Sequence, residues 1–404
     1  MKMIGMGLTS KISFKTQLRS SKFFQIFLSF LFFIFFLLGC EGNKELYAQT
    51  ELQNYKIPPE TEDGWETTNI SNVALNAKLL LKMVARIKNK DYINIHSVLI
   101  VKDGKLVLEE YFPGKTMYGV SIDYNIDSLH ELHSVTKSFT SALIGIAIGQ
   151  KMIPGVDSKA VDLLPKYEDI LRDNLKKGIS LKHLLTMTTG IKWDEWTYPP
   201  TDPRNDNSKL NRSPDFVRYV LSQPMETLPG WEYAYNSGIS LVIGEIIPSV
   251  SNMNLAQFAE KFLFQPLGIE KYYWSRDRHG VYIAGGGLQL RPRDMAKFGL
   301  LFLNNGQWKG KQIVPESWIK ESTKDQVGHL KVNLQYGYQW WPRTFWAGNR
   351  YVNTINAEGR GGQFIIIVPE LKLVAVFTGW NDNDLYRQPF RLLEGYILPS
   401  VTEP

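Results

Sequence analysis

The feature that most constrains how this chain folds is a pair of hairpin signatures, one near each end. His96-Ser97-Val98-Leu99-Ile100-Val101 leads to the turn Asp103-Gly104 and then to Leu106-Val107-Leu108-Glu109-Glu110-Tyr111. Asp-Gly between two β-rich runs marks a tight hairpin, because both residues tolerate the positive φ such a turn demands. Late in the chain, Phe364-Ile365-Ile366-Ile367-Val368, the turn Pro369-Glu370 and the run Leu373 to Thr378 repeat the pattern. The stretch between them is mainly helical. Apolar residues fall at helical spacing at Leu75, Leu79, Leu80 and Met83, and apolar helices are predicted over Ala142 to Ile148 and Ile239 to Ile247. Further helices are predicted from Ser180 to a stop at Gly190, and from Pro292 to Asn304. The expectation is an α+β fold. One antiparallel sheet is drawn from about residues 65–150 and 280–404 and flanked by helices, with an all-helical region, about 151–280, inserted.

The N-terminus carries a different message. Lys2, Lys11, Lys15, Arg19 and Lys22 precede an apolar run from Phe23 to Leu38, and residues 1 to 39 contain no acid. The run is short for a membrane span and its flanks fit a cleaved signal peptide. It ends in Leu37-Leu38-Gly39-Cys40, which resembles the bacterial lipobox; that resemblance implies cleavage before Cys40 and a lipid on its thiol. The other reading is an uncleaved anchor with an incidental cysteine. Either way the remainder is expected outside the cytoplasm, in the cell envelope at a membrane surface. Glu41, where aspartate would signal retention in the inner membrane, favours the outer membrane in a Gram-negative host. Residues 40–64, polar and with Pro58-Pro59, read as a tether, leaving 65–404 as the catalytic domain. The net charge of +6 falls to +1 without the five basic residues of the leader, so nothing electrostatic points to nucleic acid. Cys40 is the only cysteine, so no disulfide forms within one chain.

The chemistry centres on His133-Ser134-Val135-Thr136-Lys137. Residues three apart on a helix share a face. With Ser134 in the first turn, Lys137 stands beside its hydroxyl, and the helix N-terminus favours developing negative charge. A serine hydroxyl needs a base, and a desolvated lysine can serve. Spacing alone does not settle the matter. At roughly 6–7% Ser and Lys, Ser-x-x-Lys arises by chance once or twice in such a chain, and Ser317-Trp318-Ile319-Lys320 is a second instance. That one reads as the outer face of an amphipathic helix. Other chemistries find less support. There is no Gly-x-Ser-x-Gly elbow, His130 and His133 lack the zinc-helix spacing, and Gly285-Gly286-Gly287 lacks the lysine of a phosphate cradle. No cofactor or metal is implied. The long Trp-, Tyr-, Pro- and Asp-rich stretch from Lys192 to Asn211 offers Trp193 and Trp196 either as a pocket wall or as ordinary packing.

His133 to Lys137, Leu184 to Gly190, Pro229 to Gly238, Gly285 to Asp294 and Gly359 to Glu370 stand in the order found in class C β-lactamase-related serine hydrolases. That group includes penicillin-binding proteins, esterases and 6-aminohexanoate-dimer hydrolases, and the chain resembles it over about residues 70 to 390. The resemblance implies a β-lactamase/penicillin-binding-protein-like fold with its site between sheet and helical region. Ser134 and Lys137 match the first motif. Tyr235-Asn236-Ser237 matches the second, with Tyr233 as another phase. It implies proton transfer by Tyr235, as a phenolate near a protonated lysine, and a substrate-side role for Ser237. The third motif departs. Where β-lactamases have Lys-Thr-Gly, this chain has Glu358-Gly359-Arg360-Gly361-Gly362. The glycines Gly359 and Gly361 permit close backbone approach, and an N–H near Arg360 is expected to form an oxyanion hole with that of Ser134. The Arg360 side chain either replaces the missing cation or points to solvent. The expected activity is hydrolysis of a small ester or amide through an acyl-enzyme. The alternatives are a cell-wall DD-peptidase or β-lactamase, and a non-catalytic penicillin-binding-like sensor.

Overall fold

The computed structural model describes residues 55–402 apart from 331 and 332; Cys40 and the leader lie outside the described residues. Helix α1 (Ala77–Lys88) starts at Asn76, whose side chain accepts the Leu79 N–H at 3.2 Å. Leu75 precedes the helix and bridges to Val401. The first hairpin is β1 (Ile95–Lys102) and β2 (Lys105–Tyr111). Then come α2 (Thr136–Gly149), α3 (Ser237–Ser251), α4 (Pro292–Leu303) and α5 (Glu316–Thr323). The chain returns to the sheet with β3 (Trp341–Trp346), β4 (Tyr351–Gly359), β5 (Gln363–Val368) and β6 (Leu373–Gly379).

The six strands form one antiparallel sheet in the order β3-β4-β5-β6-β1-β2. β1 pairs with β6, Val98 opposite Phe377 and Ile100 opposite Ala375, so the two hairpins from opposite ends of the chain become neighbours. Every residue of β1, β5 and β6 is buried. Both faces are therefore covered, which explains why these runs are continuously apolar instead of alternating. Leu99, Val101, Ile365, Ile367, Val374 and Val376 face the main core with Phe139 of α2 and Phe298 of α4, whose rings stack at 3.7 Å. α4 lies close on this face because of Gly299. A Cβ there would stand 2.6 Å from Val374 Cγ1. On the other face, Phe390 packs against Phe364 at 4.8 Å.

Between the hairpins the chain is mainly helical as far as α5, with the short strands Tyr272–Trp274 and Leu288–Leu290 among the helices, and α2 packs against α3. Among the described residues no single helix is long and apolar enough to cross a membrane. Two expectations change. The helix starting at Ser180 spans only Leu181–Leu185. Met187 adopts φ +56° and its carbonyl accepts the Ala234 N–H at 3.0 Å, so the backbone leaves the helix to meet the segment before α3. Gly190 serves that later pairing; a Cβ on it would meet the Thr227 carbonyl oxygen at 2.2 Å. The expected tether also ends early. The Pro59 carbonyl, Thr61 and Asp63 all bind the fully buried Arg293 guanidinium, which Glu109 grips as well. A charge so buried holds its partners, since leaving it unpaired is costly.

Candidate active site

Ser134 sits on a tight 3-10 turn (His133–Val135) that runs directly into α2. The turn is pinned on two sides. Leu132 donates its N–H to the Leu288 carbonyl at 2.9 Å, and the Leu288 N–H reaches Thr136 Oγ1 at 3.3 Å. The end of β4 presses on it from the sheet. A Cβ on Gly359 would lie 2.3 Å from the Leu132 carbonyl oxygen, so only glycine allows this approach. That contact sets the end of β4 directly against the turn that carries Ser134.

Lys137, in the first turn of α2, is 2% exposed. Its Nζ lies 3.2 Å from Ser134 Oγ, 3.3 Å from Ser237 Oγ and 2.6 Å from the Gly285 carbonyl oxygen. Gly285 leaves room at that spot, where a Cβ would crowd the Ser237 carbonyl at 3.0 Å and Lys137 Nζ at 3.3 Å. Burial pushes the Lys137 ammonium down to about 8, with the Glu195 carboxylate opposing the shift. Tyr235 donates to Ser134 Oγ at 3.1 Å. It is delivered there by Asn236, which caps α3 by accepting the Ile239 N–H at 3.1 Å. The Tyr235 ring stacks on Trp341 at 5.9 Å, with Trp196 at 5.6 Å.

Ser134, Lys137, Tyr235 and Ser237 thus form one hydrogen-bonded cluster drawn from two helices far apart in sequence. Tyr233, the other phase, lies elsewhere. Its ring packs edge-on against Tyr336 at 5.3 Å, and its buried hydroxyl has no partner among the described residues. The expected phenolate is not what the surroundings favour. Desolvation, then the Glu195 charge, push the Tyr235 phenol upward, so it stays protonated and acts as a donor. Of its two expected placements Arg360 takes the second: its side chain is exposed at the rim, where the guanidinium pairs with Asp382 at 3.0 Å and lies 5.3 Å from the centre of the Trp380 ring. The other nearby guanidinium, Arg343, is held by Glu358 at 2.5 and 3.0 Å. His133 is pushed down to about 4 by burial, with Arg360 and Lys137 adding to the effect, and is neutral at pH 7.

Sequence reasoning missed two groups. Glu195 accepts both the Ser237 N–H (2.8 Å) and the Ser237 hydroxyl (2.9 Å), and Trp193 Nε1 donates to it at 2.7 Å. Trp193 is therefore a buried support for Glu195, while Trp196 stands exposed beside Tyr235. Gln339 accepts from Ser138 and Ser240 and donates to the Leu185 carbonyl, tying α2, α3 and the helical region together. The length of the loop from Lys192 to Asn211 was the one available hint of Glu195.

Comparison with known proteins places the fold. The 6-aminohexanoate-dimer hydrolase of Paenarthrobacter ureafaciens is 24% identical over 307 residues, covering 70% of this chain and 73% of the relative. The solved structure of EstCE1, a hydrolase with promiscuous acyltransferase activity, superposes with a TM-score of 0.63 at 16% identity, covering 79% of this chain and 98% of that one. The octameric penicillin-binding protein homologue of Pyrococcus abyssi gives a TM-score of 0.57 at 20% identity, with coverage of 80% and 78%. These two likenesses show the fold. The family model described as Beta-lactamase matches residues 93–383, a span that runs from the first hairpin through the last strand. The chain belongs to the beta-lactamase family of serine hydrolases.

Proposed function

We propose that this chain is a membrane-tethered hydrolase that opens an ester or linear amide through an acyl-enzyme on Ser134. One observation carries the reading: Ser134 Oγ has both Lys137 Nζ, at 3.2 Å, and Tyr235 Oη, at 3.1 Å, within hydrogen-bond reach. In this reading Ser134 Oγ bonds to the substrate carbonyl carbon as its proton passes to the Lys137 amine. The carbonyl oxygen takes up the negative charge and accepts N–H groups at Ser134 and Arg360, donors of a kind that typically contribute about 3–4 kcal/mol each. As the carbon–oxygen or carbon–nitrogen bond breaks, the leaving atom takes the Tyr235 proton, and the Lys137 ammonium restores the phenol. Water then repeats the attack and releases the acid. The tether rests on the leader and Cys40.

Glu358-Gly359-Arg360 in place of Lys-Thr-Gly argues against β-lactam or D-Ala-D-Ala recognition, since Arg360 is already engaged by Asp382. The test is a screen of p-nitrophenyl esters, short linear amides, D-amino-acid peptides and nitrocefin against wild type and Ser134→Ala, with mass mapping of a fluorophosphonate adduct. Ester or amide turnover with the adduct on Ser134 supports the reading. Nitrocefin turnover would replace it with the β-lactamase reading, and a stable acyl adduct without turnover with a sensor. Radiolabelled palmitate incorporation that is lost in Cys40→Ala tests the tether.

A further inference from the structure

We propose that Glu195 is a positioning residue: it fixes the direction of the Ser237 hydroxyl and thereby aims the lone pair of Lys137 at Ser134. The inference rests on the reading of Ser134 as nucleophile and assigns a role to a loop residue that none of the three motifs contains.

The argument is a count of hydrogens. Glu195 receives three donors, from Ser237 N, Ser237 Oγ and Trp193 Nε1. Backbone N–H and indole N–H can only donate, so the carboxylate is the acceptor throughout. Ser237 has a single hydroxyl hydrogen, and it is committed to Glu195. What Ser237 offers Lys137 is therefore a lone pair. The Gly285 carbonyl, 2.6 Å from Nζ, can likewise only accept. A neutral Lys137 amine has two hydrogens, and these two acceptors claim both. Its remaining tetrahedral direction holds the lone pair and faces Ser134 Oγ at 3.2 Å. Ser134 accepts from the Tyr235 hydroxyl, so its own hydrogen is free to point along that line. After the proton moves, the ammonium finds acceptors in the same directions. The cage suits both protonation states without moving a heavy atom, and such preorganisation is what lowers a barrier.

Without Glu195 the Ser237 hydroxyl is free to donate to Lys137 instead, and the lone pair then turns away from Ser134. The loop is built to prevent this. Asn205, itself buried, donates to the Glu195 carbonyl at 3.0 Å. Asp194 donates its N–H to Asp206 at 2.7 Å, and its carboxylate accepts the N–H groups of Trp196 and Thr197. The carboxylate also raises the affinity of Lys137 for its proton, against burial. The other polar groups around Lys137 come from each packed element: Ser134 and the neutral His133 on its own turn, Tyr235 before α3, Glu358 paired with Arg343 on β4 and β3, and Arg360 at the rim.

The experiment is kcat and KM against pH for Glu195→Gln, Glu195→Asp and Ser237→Ala, with a small neutral p-nitrophenyl ester. Because the neutral amine is the active form, wild-type kcat/KM rises with pH through a midpoint near 8. In Glu195→Gln the midpoint moves to lower pH, since the charge that favours the ammonium is gone. At the plateau kcat falls roughly ten- to hundred-fold, within the range of general-base effects, while KM changes little. Glu195→Asp keeps the charge and recovers the wild-type midpoint with part of kcat. The double variant Glu195→Gln/Ser237→Ala is no slower than Ser237→Ala, because both act on one hydroxyl. An unmoved midpoint in Glu195→Gln, or a loss confined to KM, overturns the inference. If Glu195→Gln does not fold, Ser237→Ala reads the network from its other end, and an unchanged kcat there overturns it equally. A wild type that fluorophosphonate does not label at Ser134 overturns the serine-hydrolase reading itself, an outcome separable from these.

Discussion

The chain contains two Ser-x-x-Lys segments, and the structure gives them opposite surroundings. Lys137 is buried and ringed by Ser134, Ser237 and the Gly285 carbonyl. Lys320, on α5, has a side chain 66% exposed and pairs with Glu316 one turn back, and Ser317 faces solvent. Both serines lie near the start of a helix, so neither spacing nor helix position distinguishes them. What differs is what the rest of the chain brings up to the pair. Tyr235 arrives from before α3, Gly285 from a loop and Gly359 from the end of β4; nothing comparable reaches Ser317 among the described residues. Nucleophilicity here is a property of long-range packing.

The largest test of that contrast is removal of the nucleophile. Ser134→Ala should lower kcat/KM by about 10⁴-fold or more, as for other nucleophiles acting with a base. The fold should survive, since Ser134 is only partly buried and its turn is held by backbone bonds through Leu132. Fluorophosphonate labelling read by mass gives the answer; retained labelling would sink the assignment. Next in size is Tyr235→Phe, which keeps the ring between Trp341 and Trp196 and removes only the donor to Ser134. A loss of about 10²–10³-fold in kcat is expected for a proton-transfer group, with KM nearly unchanged. A loss below tenfold would mean that Lys137 handles both proton transfers.

How much of this was readable beforehand follows the same division between local and distant. The two hairpins were legible because their runs are apolar on both faces and their turns carry Asp-Gly or Pro-Glu. Ser134, Lys137, Tyr235 and Ser237 were legible as motifs. β3 was not. It is an edge strand with Pro342 in it and a mixture of exposed and half-buried residues, so it shows neither continuous nor alternating apolarity. Glu195 was not legible either. Its contact with Ser237 spans a long stretch of chain and is imposed by Asn205 and Asp206 from behind. The docking of Pro59 to Asp63 depends on Arg293, which looks in the sequence like an ordinary helix-surface arginine. Expecting a phenolate at Tyr235 failed because it considered the lysine and not the burial and the acid beside it.

The contrast also predicts unequal effects on stability. Burial lowers the Lys137 pKa from 10.5 to about 8. Between these values the unfolded chain binds a proton that the folded chain does not, so stability rises with pH across that window. Below about pH 8 the folded state carries the whole penalty, on the order of 3 kcal/mol for such a shift. Lys137→Met, of similar length and uncharged, should therefore raise the stability at pH 7 by about 1–3 kcal/mol while abolishing activity. The gain should shrink as pH climbs from 8 towards 10.5. Urea unfolding at several pH values checks both sign and window, and a destabilised variant at pH 7 would show that the three hydrogen bonds outweigh desolvation.

The smallest expected effect is the control that makes the comparison sharp. Lys320 lies in water, so its charge loses almost no solvation on folding, and its pair with Glu316 is a surface i,i+4 contact. Such pairs contribute about 0.3–0.5 kcal/mol. Lys320→Met should thus leave stability within about 0.5 kcal/mol of wild type, unlike Lys137→Met. Ser317 is exposed and its one neighbouring amine, Lys320, is in water and paired with Glu316, so Ser317→Ala should keep activity within about twofold. Trp318 and Ile319, between the two, are buried and hold α5 in place, so the variants leave the helix docked. If Ser317→Ala abolished turnover, the argument from long-range partners would fail, because a serine without any of them would then matter as much as one with all of them.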